Sequence, residues 1–68
     1  MIKTIGKRIK EVRLENDMSL RDFAEVIGVA DTTVMKWEKG ISNIPFVYAI
    51  EIADRFDVKL SWLGGLEE

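Results

Sequence analysis

The chain has 68 residues, of which 47% are hydrophobic, and its formal net charge is −2. This length predicts one domain, near the lower limit for folding on a single apolar core. The absence of Cys excludes a disulfide framework and a thiolate zinc site, and the absence of His removes the commonest general base and metal ligand. No segment approaches the roughly 20 apolar residues of a membrane span, and no signal-peptide pattern opens the chain. We therefore expect a cytoplasmic protein with no metal, no cofactor and no membrane partner.

Apolar residues recur at helical spacing along the whole chain, which predicts an all-α fold. The first predicted helix covers about residues 4–15. Its apolar stripe consists of Ile2, Ile5, Ile9 and Val12. Basic residues also crowd this segment, namely Lys3, Lys7, Arg8, Lys10 and Arg13.

Two short helices separated by a glycine come next. Ser19 is a good N-cap for the second helix, and Asp22 three residues later forms a capping box with it. This helix is predicted to end at Gly28. The third helix is predicted over about residues 31–39, with Gly40 as its stop.

The spacing of small and apolar residues relates these two helices to each other. Ala24 allows a close helix–helix approach, and Gly28 permits a tight turn. Val34 and Trp37 then pack the next helix against the first. The combination predicts a helix-turn-helix unit over about residues 19–39.

The rest of the chain predicts two more helices. Pro45 suits the first turn of a fourth helix over about residues 45–56, and a short fifth helix begins near Leu60 or Ser61. We predict a compact five-helix fold in which residues 1–68 form a single domain. The predicted buried residues are Phe23, Ala24, Ile27, Val34, Trp37, Ile50, Ile52, Phe56 and Leu63.

The third helix has two unlike sides at about 100° per residue. Thr33, Val34 and Trp37 lie on an apolar arc, with Glu38 at its border. The opposite arc, which we call the outer arc, consists of Asp31, Thr32, Met35, Lys36 and Lys39. A merely solvated surface would explain this arc, and so would a binding face.

The segment FAEVIGVADTTVMKWEKG, residues 23–40, resembles the helix-turn-helix of the phage repressor and Cro type, also called the XRE family. The resemblance extends from IGKRIKEVR at residues 5–13 to VKLSWL at residues 58–63. It implies sequence-specific binding of double-stranded DNA, usually as a dimer on a near-palindromic operator. It also implies transcriptional regulation, for which repression is the expected mode.

The resemblance assigns base reading to the outer arc, because the matching face enters the major groove in family members. Lys36 is expected to donate to guanine, Thr32 to bond a base edge or touch a thymine methyl, and Asp31 to accept from cytosine N4. Met35 is expected either to touch a base edge or to be exposed packing at the groove rim. Because Ala30 replaces the family's usual serine cap, Asp31 capping the third helix is the alternative for that residue.

The resemblance also implies contacts to the DNA backbone. Leu20 replaces a glutamine that often bonds a phosphate in the family, and the loop at residues 41–44 has no basic residue, so we expect modest affinity. Arg13 and Glu38 match positions that form an ion pair in the family, which we interpret as mainly structural. The residues expected at the DNA backbone are Ser19, Arg21, Lys39, Ser42, Asn43 and Arg13.

Family dimers pack near the fourth and fifth helices, which implicates Val47, Leu60 and Trp62 in a dimer interface, with completion of the core as the alternative. We expect the homodimer to be weak and to form mainly on DNA.

Other function classes fit less well. An antitoxin or antirepressor-like module, whose main ligand is a protein, is the rival hypothesis, and the net negative charge fits it. An enzyme is not expected, because His and Cys are absent and the serines at 19, 42 and 61 lie at helix starts or in loops. RNA binding is not expected, because no exposed aromatic platform is apparent.

Overall fold

A computed structural model describes residues 2–67 of the chain, with the side chains of residues 4–67. This part of the chain contains no strand, and its extents are 27 × 24 × 20 Å. The predicted compact all-α fold is therefore confirmed. The five helices of the described residues are α1 (Ile2–Glu15), α2 (Leu20–Ile27), α3 (Asp31–Glu38), α4 (Phe46–Arg55) and α5 (Leu60–Leu63).

Two helix starts and one helix cap differ from the prediction. α1 begins at residue 2 rather than 4, and the side chain of Ile2, which we assigned to the apolar stripe, lies outside the described side chains. Pro45 is the N-cap of α4 and not part of its first turn. Ala30 is the N-cap of α3 and offers no side-chain bond, so the expectation that Asp31 caps this helix is wrong. Asp31 is instead the first helical residue, where its negative charge interacts favourably with the positive end of the helix dipole.

The predicted start of α2 is confirmed in detail. The backbone N–H of Asp22 donates to Ser19 Oγ at 3.0 Å, and the N–H of Ser19 donates back to Asp22 Oδ2 at 3.4 Å. This capping box satisfies two N–H groups that a helix start otherwise leaves open.

All helices of the described residues end with the same closure. One residue with φ between +54° and +88° follows each helix, and the next N–H donates to the carbonyl five residues back over 2.8–3.1 Å. This is the hydrogen bond of a Schellman motif. The left-handed residues are Asp17, Gly28, Gly40, Asp57 and Gly65, and the donors after them are Met18, Val29, Ile41, Val58 and Leu66.

The core lies where α1, α2 and α3 meet the inner faces of α4 and α5. Phe23 of α2 stacks on Phe56 with ring centres 5.2 Å apart, and Trp37 of α3 lies against Tyr48 of α4 at 5.6 Å. The buried hydrophobic residues are Ile9, Val12, Phe23, Ala24, Ile27, Val34, Trp37, Ile52 and Leu63.

Seven of the nine predicted core residues are among these, and two predictions need correction. Ile50 is 44% exposed, because Tyr48, Ile52 and Phe56 set the inner side of α4 at a spacing of four. A residue two positions before Ile52 lies about 200° away from it around the helix. Phe56 is only half-buried, although its ring covers Phe23.

Gly6 permits a close approach between the backbones of α1 and α3. It is buried in α1, and a Cβ added to it would lie 2.4 Å from the carbonyl oxygen of Trp37 and 2.8 Å from that of Glu38. Both atoms are backbone, so neither can turn aside. The C-terminal end of α3 therefore lies directly on the backbone of α1.

This contact gives a stability prediction. Gly6→Ala should gain helix propensity of about 1 kcal/mol but lose more by overpacking, for a net destabilisation of roughly 1–3 kcal/mol. Urea unfolding followed by circular dichroism measures the change. Gly64→Ala is the matched control, because its φ is −78° and its Cβ would lie 3.4 Å from the nearest atom. Equal stability of the two variants would contradict the tight contact.

Candidate nucleic-acid interface

α3 is held on two sides by the rest of the fold. It packs against both α1 and α2. The connection from α2 is only residues 28–30, and its Gly28 adopts φ +88° and donates to the carbonyl of Ala24 at 2.8 Å. Val34 is fully buried and Trp37 is 3% exposed, so these two side chains fix the rotation of α3 about its axis.

This rotation directs the outer arc of α3 to solvent. Asp31, Thr32, Lys36 and Lys39 are exposed, whereas Met35 is half-buried. Two lysines against one aspartate leave the arc weakly positive in a chain of net charge −2. Across the described side chains, none of these residues forms a salt bridge. The two lysines and Asp31 are therefore available to an external ligand.

Arg13 joins three parts of the fold. Its Nε donates to Glu38 Oε2 at 2.7 Å and its Nη2 to Oε1 at 3.1 Å, while Nη1 donates to the carbonyl of Met18 at 3.0 Å. The structure thus brings together the two residues expected to pair and links the end of α3 to the turn after α1. The hydrogen bonds that Arg13 donates to Glu38 raise the pKa of Arg13 above its ordinary value, although burial acts in the opposite direction.

The basic residues of α1 do not form one free cluster. Arg13 is 8% exposed and already donates three hydrogen bonds within the fold, and its expected contact to phosphate stays a prediction. Arg8 donates to the backbone carbonyls of Trp62 and Glu67. Lys7 and Lys10 are exposed, and the side chain of Lys3 lies outside the described ones. Any positive potential from α1 therefore comes mainly from lysines.

The other residues expected at the DNA backbone are variously placed. Ser19 is exposed, but its hydroxyl already accepts the capping bond. The Arg21 side chain is 82% exposed and lies 3.5 Å from Glu25, an exposed pair one helical turn away. Ser42 is half-buried, with its N–H directed to the carbonyl of Lys36 at 3.4 Å, and Asn43 is exposed.

The three residues expected at a dimer interface differ in exposure. Val47 is 66% exposed, whereas Leu60 and Trp62 are half-buried. The guanidinium of Arg8 lies 4.8 Å from the centre of the Trp62 ring and covers it.

Sequence reasoning missed several residues that matter here. Phe46 is 69% and Leu66 73% exposed, which makes them more prominent apolar groups than Leu60 or Trp62.

A helical wheel of α4 would have put Ile50 outside. A glycine inside a strongly helical segment was the available signal for Gly6, because such a residue usually has a packing reason. Nothing in the sequence pattern pointed to Arg8.

No helix within residues 2–67 combines the length and the apolar character that crossing a bilayer requires.

Two short helices joined by a left-handed glycine, with the second helix exposing a polar arc, define a helix-turn-helix. The sequence model of the family described as helix-turn-helix matches residues 9–63. The chain therefore belongs to the helix-turn-helix family, of the XRE type that its sequence resembles.

Several curated proteins are similar to the chain. An uncharacterized HTH-type transcriptional regulator from Rickettsia conorii is 37% identical over 65 residues, which are 94% of this chain and 52% of the relative. A longer protein from Pyrococcus abyssi is 30% identical over 59 residues, 87% of this chain and 19% of the relative. The antitoxin PezA from Streptococcus pneumoniae is 30% identical over 54 residues, 79% of this chain and 34% of the relative.

The chain thus spans between about a fifth and a half of the length of these relatives. No solved structure gives a significant match to it.

The ion pair between Arg13 and Glu38 gives a second stability prediction. Both side chains are at most 10% exposed, so removing one partner leaves a buried, uncompensated charge. Arg13→Met alone should destabilise the fold by about 3–5 kcal/mol, and Glu38→Met alone by a similar amount. The double variant should be less destabilised than the sum, because no orphaned charge remains. A double-mutant cycle by urea unfolding measures the coupling, and additive single effects would show that the pair is not coupled.

Proposed function

We propose that residues 1–68 act as one cytoplasmic, sequence-specific double-stranded DNA-binding domain that regulates transcription, with repression as its mode. In this proposal α3 enters the major groove of a near-palindromic operator, and two copies bind as a weak dimer. Catalysis and cofactors have no part in it. The observation that carries the proposal is the outer arc of α3, whose exposed Thr32, Lys36 and Lys39 form no salt bridge with the other described residues.

The geometry of the outer arc supports base reading by α3. Val34 and Trp37 fix the helix from inside, so Thr32 and Lys36 project from a rigid support. A side chain on a fixed helix loses little further freedom on binding, which favours discrimination between bases. In the proposed complex Lys36 donates to guanine O6 or N7, Thr32 contacts a base edge or methyl group, and Asp31 accepts from cytosine N4. Met35, being half-buried, contributes apolar contact at the groove rim.

The charge distribution supports modest affinity for DNA. Lys39 and Arg21 are the proposed cations at the phosphates, with Ser19, Ser42 and Asn43 as neutral partners and Arg13 as a minor one because of its burial. Arg21 lies near Glu25, whose carboxylate compensates part of its charge. A chain with few free cations neutralises few phosphates, so its binding responds to salt with a shallow slope for this class of protein.

The dimer is proposed on specificity grounds. One recognition helix reads only a few base pairs, so a single copy discriminates poorly among genomic sites. The apolar groups that protrude near α4 and α5 give a second copy something to contact. We assign the contact to Val47 together with Phe46 and Leu66, and assign Leu60 and Trp62 a lesser part because they are half-buried.

A module whose main ligand is a protein is the second candidate function. The likeness to the antitoxin PezA over 54 residues favours it, together with the exposed apolar groups of α4. A gel shift at several salt concentrations separates the two. The DNA-binding proposal expects retention of duplex at low salt and its loss as salt rises, whereas the alternative expects no duplex binding at any salt.

The outer arc yields a prediction with two contrasting variants. Lys36→Ala should cost about 1–3 kcal/mol on the preferred duplex and relax the preference at one base position. Lys39→Ala should weaken binding to all duplexes alike and flatten the slope of log K against log salt by roughly 1 per half-site. Selection from a random duplex library supplies the preferred sequence, and binding titrations on preferred and scrambled duplexes supply the comparison.

The same selection tests the spacing of the half-sites, which should recur about 34 Å apart because each α3 must meet the same face of the groove. Thr33→Ser serves as the control for the two lysine variants, since it is a conservative change on the apolar arc of α3. If Lys36→Ala and Lys39→Ala both bind as the parent does, the outer arc is not a DNA-reading face.

The exposed ion pair between Arg21 and Glu25 on α2 gives a prediction of increased, rather than decreased, affinity for DNA. Glu25→Gln should strengthen binding to every duplex several-fold at low salt, because it removes a negative charge 3.5 Å from Arg21. The gain should shrink as salt rises. Glu51→Gln, at a similar exposed pair on α4 with Arg55, is the matched control and should change duplex binding little. Equal gains in both variants would indicate a net-charge effect rather than a local one.

A further inference from the structure

An apolar residue follows the left-handed position after each helix of the described residues. In a Schellman motif this residue, called C″, is bonded to the helical residue C3 five positions back, and an apolar contact between the two often accompanies the bond. Met18, Val29 and Val58 are half-buried and pack against the core. Ile41 and Leu66, after α3 and α5, are instead 66% and 73% exposed. Core packing therefore does not account for an apolar residue at position 41.

The backbone places Ile41 beside Lys36 of the outer arc. The N–H of Ile41 donates to the carbonyl of Lys36 at 2.9 Å, and the N–H of Ser42 is directed to the same carbonyl at 3.4 Å. Gly40, at φ +72°, turns the chain back to allow these bonds. Ile41 and Lys36 are therefore the C″ and C3 residues of one Schellman motif, so an apolar loop residue lies next to the proposed base-reading lysine.

The motif at the end of α1 shows how a long cationic side chain behaves at C3. There Arg13 is C3 and Met18 is C″, and Nη1 of Arg13 donates to the carbonyl of Met18 at 3.0 Å. The C3 side chain thus runs toward the C″ residue of its own motif. Lys36 has an apolar stem of four carbons, which can lie along a hydrophobic neighbour while the ammonium group stays in water.

We infer that Ile41 is a positioning residue for Lys36. The Ile41 side chain covers one side of the Lys36 stem and so limits the directions in which the ammonium group projects from α3. The inference rests on the proposed function, in which Lys36 donates to guanine. A lysine side chain loses rotamer freedom when it binds, and one that is held in advance loses less. Ile41 therefore increases the discrimination at the one base position that Lys36 reads.

A contact of Ile41 to the phosphates explains the residue less well. Phosphates are bound by charged side chains, hydroxyl or amide side chains and free backbone N–H groups. The Ile41 side chain has no such group, and its N–H is already bonded to the carbonyl of Lys36. An apolar contact of Ile41 itself to a base or sugar would act independently of Lys36, and a double-mutant cycle separates the two roles.

The cycle is measured on a duplex with a single half-site, so that contacts between two copies do not enter. The base pair at which Lys36→Ala relaxes the preference defines the position to be changed. The measured quantity is the ratio of the affinities for the preferred duplex and for the duplex changed at that position. Ile41→Ala should lower this ratio about three- to tenfold, the cost of ordering one long side chain. It should leave the ratio unchanged in the Lys36→Ala background, and Ile41→Leu should keep most of the preference.

Leu14→Ala is the matched control, because Leu14 is a 54% exposed apolar residue of α1 that belongs neither to the outer arc nor to the proposed dimer contact. It should leave the ratio as in the parent. Circular dichroism verifies the folding of each variant. Nuclear Overhauser effects between the methyl groups of Ile41 and the stem protons of Lys36 test the contact without DNA, and the parent should show them.

The outcomes distinguish this inference from the proposed function. Missing Overhauser effects overturn the inference alone, and so does an Ile41→Ala effect that is equally large in the Lys36→Ala background. Equal losses of affinity on the preferred and the changed duplex also overturn it, because they show an action of Ile41 that does not pass through base reading. If the parent binds no duplex, or if Lys36→Ala keeps the full base preference, the proposed base reading fails and this inference fails with it.

Discussion

The fold depends on the direct contact between the backbone of α1 and the C-terminal end of α3. Gly6 admits the carbonyls of Trp37 and Glu38 at a distance that no other residue type allows. Seven residues further along α1, Arg13 binds the Glu38 carboxylate and the turn before α2. The contact at Gly6 leaves no room for a side chain, whereas the second contact needs the side chains of both Arg13 and Glu38. Together they set both the depth and the direction of α3.

This constraint explains how so small a chain supports a defined outer arc. A domain of this size has only a few kcal/mol of net stability, so a helix held by apolar packing alone would be loosely fixed. Val34 and Trp37 supply the apolar anchor, while the buried ion pair permits one rotation of the helix and leaves an unpaired charge in others. The solvent-facing side of α3 is thus determined by contacts on its opposite side.

Much of this arrangement could be predicted from the sequence, and the limits have physical reasons. The capping box at Ser19, the glycine turn at Gly28 and the division of α3 into two arcs are local, so spacing alone revealed them. The predicted burial of Ile50 is wrong, because the prediction followed its apolar residue type, whereas its position around α4 turns it away from the core. The role of Arg8 depends on residues more than fifty positions away and has no local signature. The base contacts proposed for α3 depend on the DNA sequence as well as on the chain, so the sequence of the chain alone does not determine them.

The shared closure of the helices also bears on how such a chain can change over generations. After each helix comes one left-handed residue, and the N–H of the next residue donates to a carbonyl of that helix. The backbone that leaves each helix is therefore fixed by hydrogen bonds. One extra residue inside α3, ahead of Val34, would turn Val34 and Trp37 by about 100° relative to the start of the helix and carry them out of the core. The segment from α2 to α3 is therefore expected not to tolerate insertions or deletions. If the outer arc binds DNA as proposed, new binding preferences arise by exchange of its side chains, one position at a time, within an unchanged length.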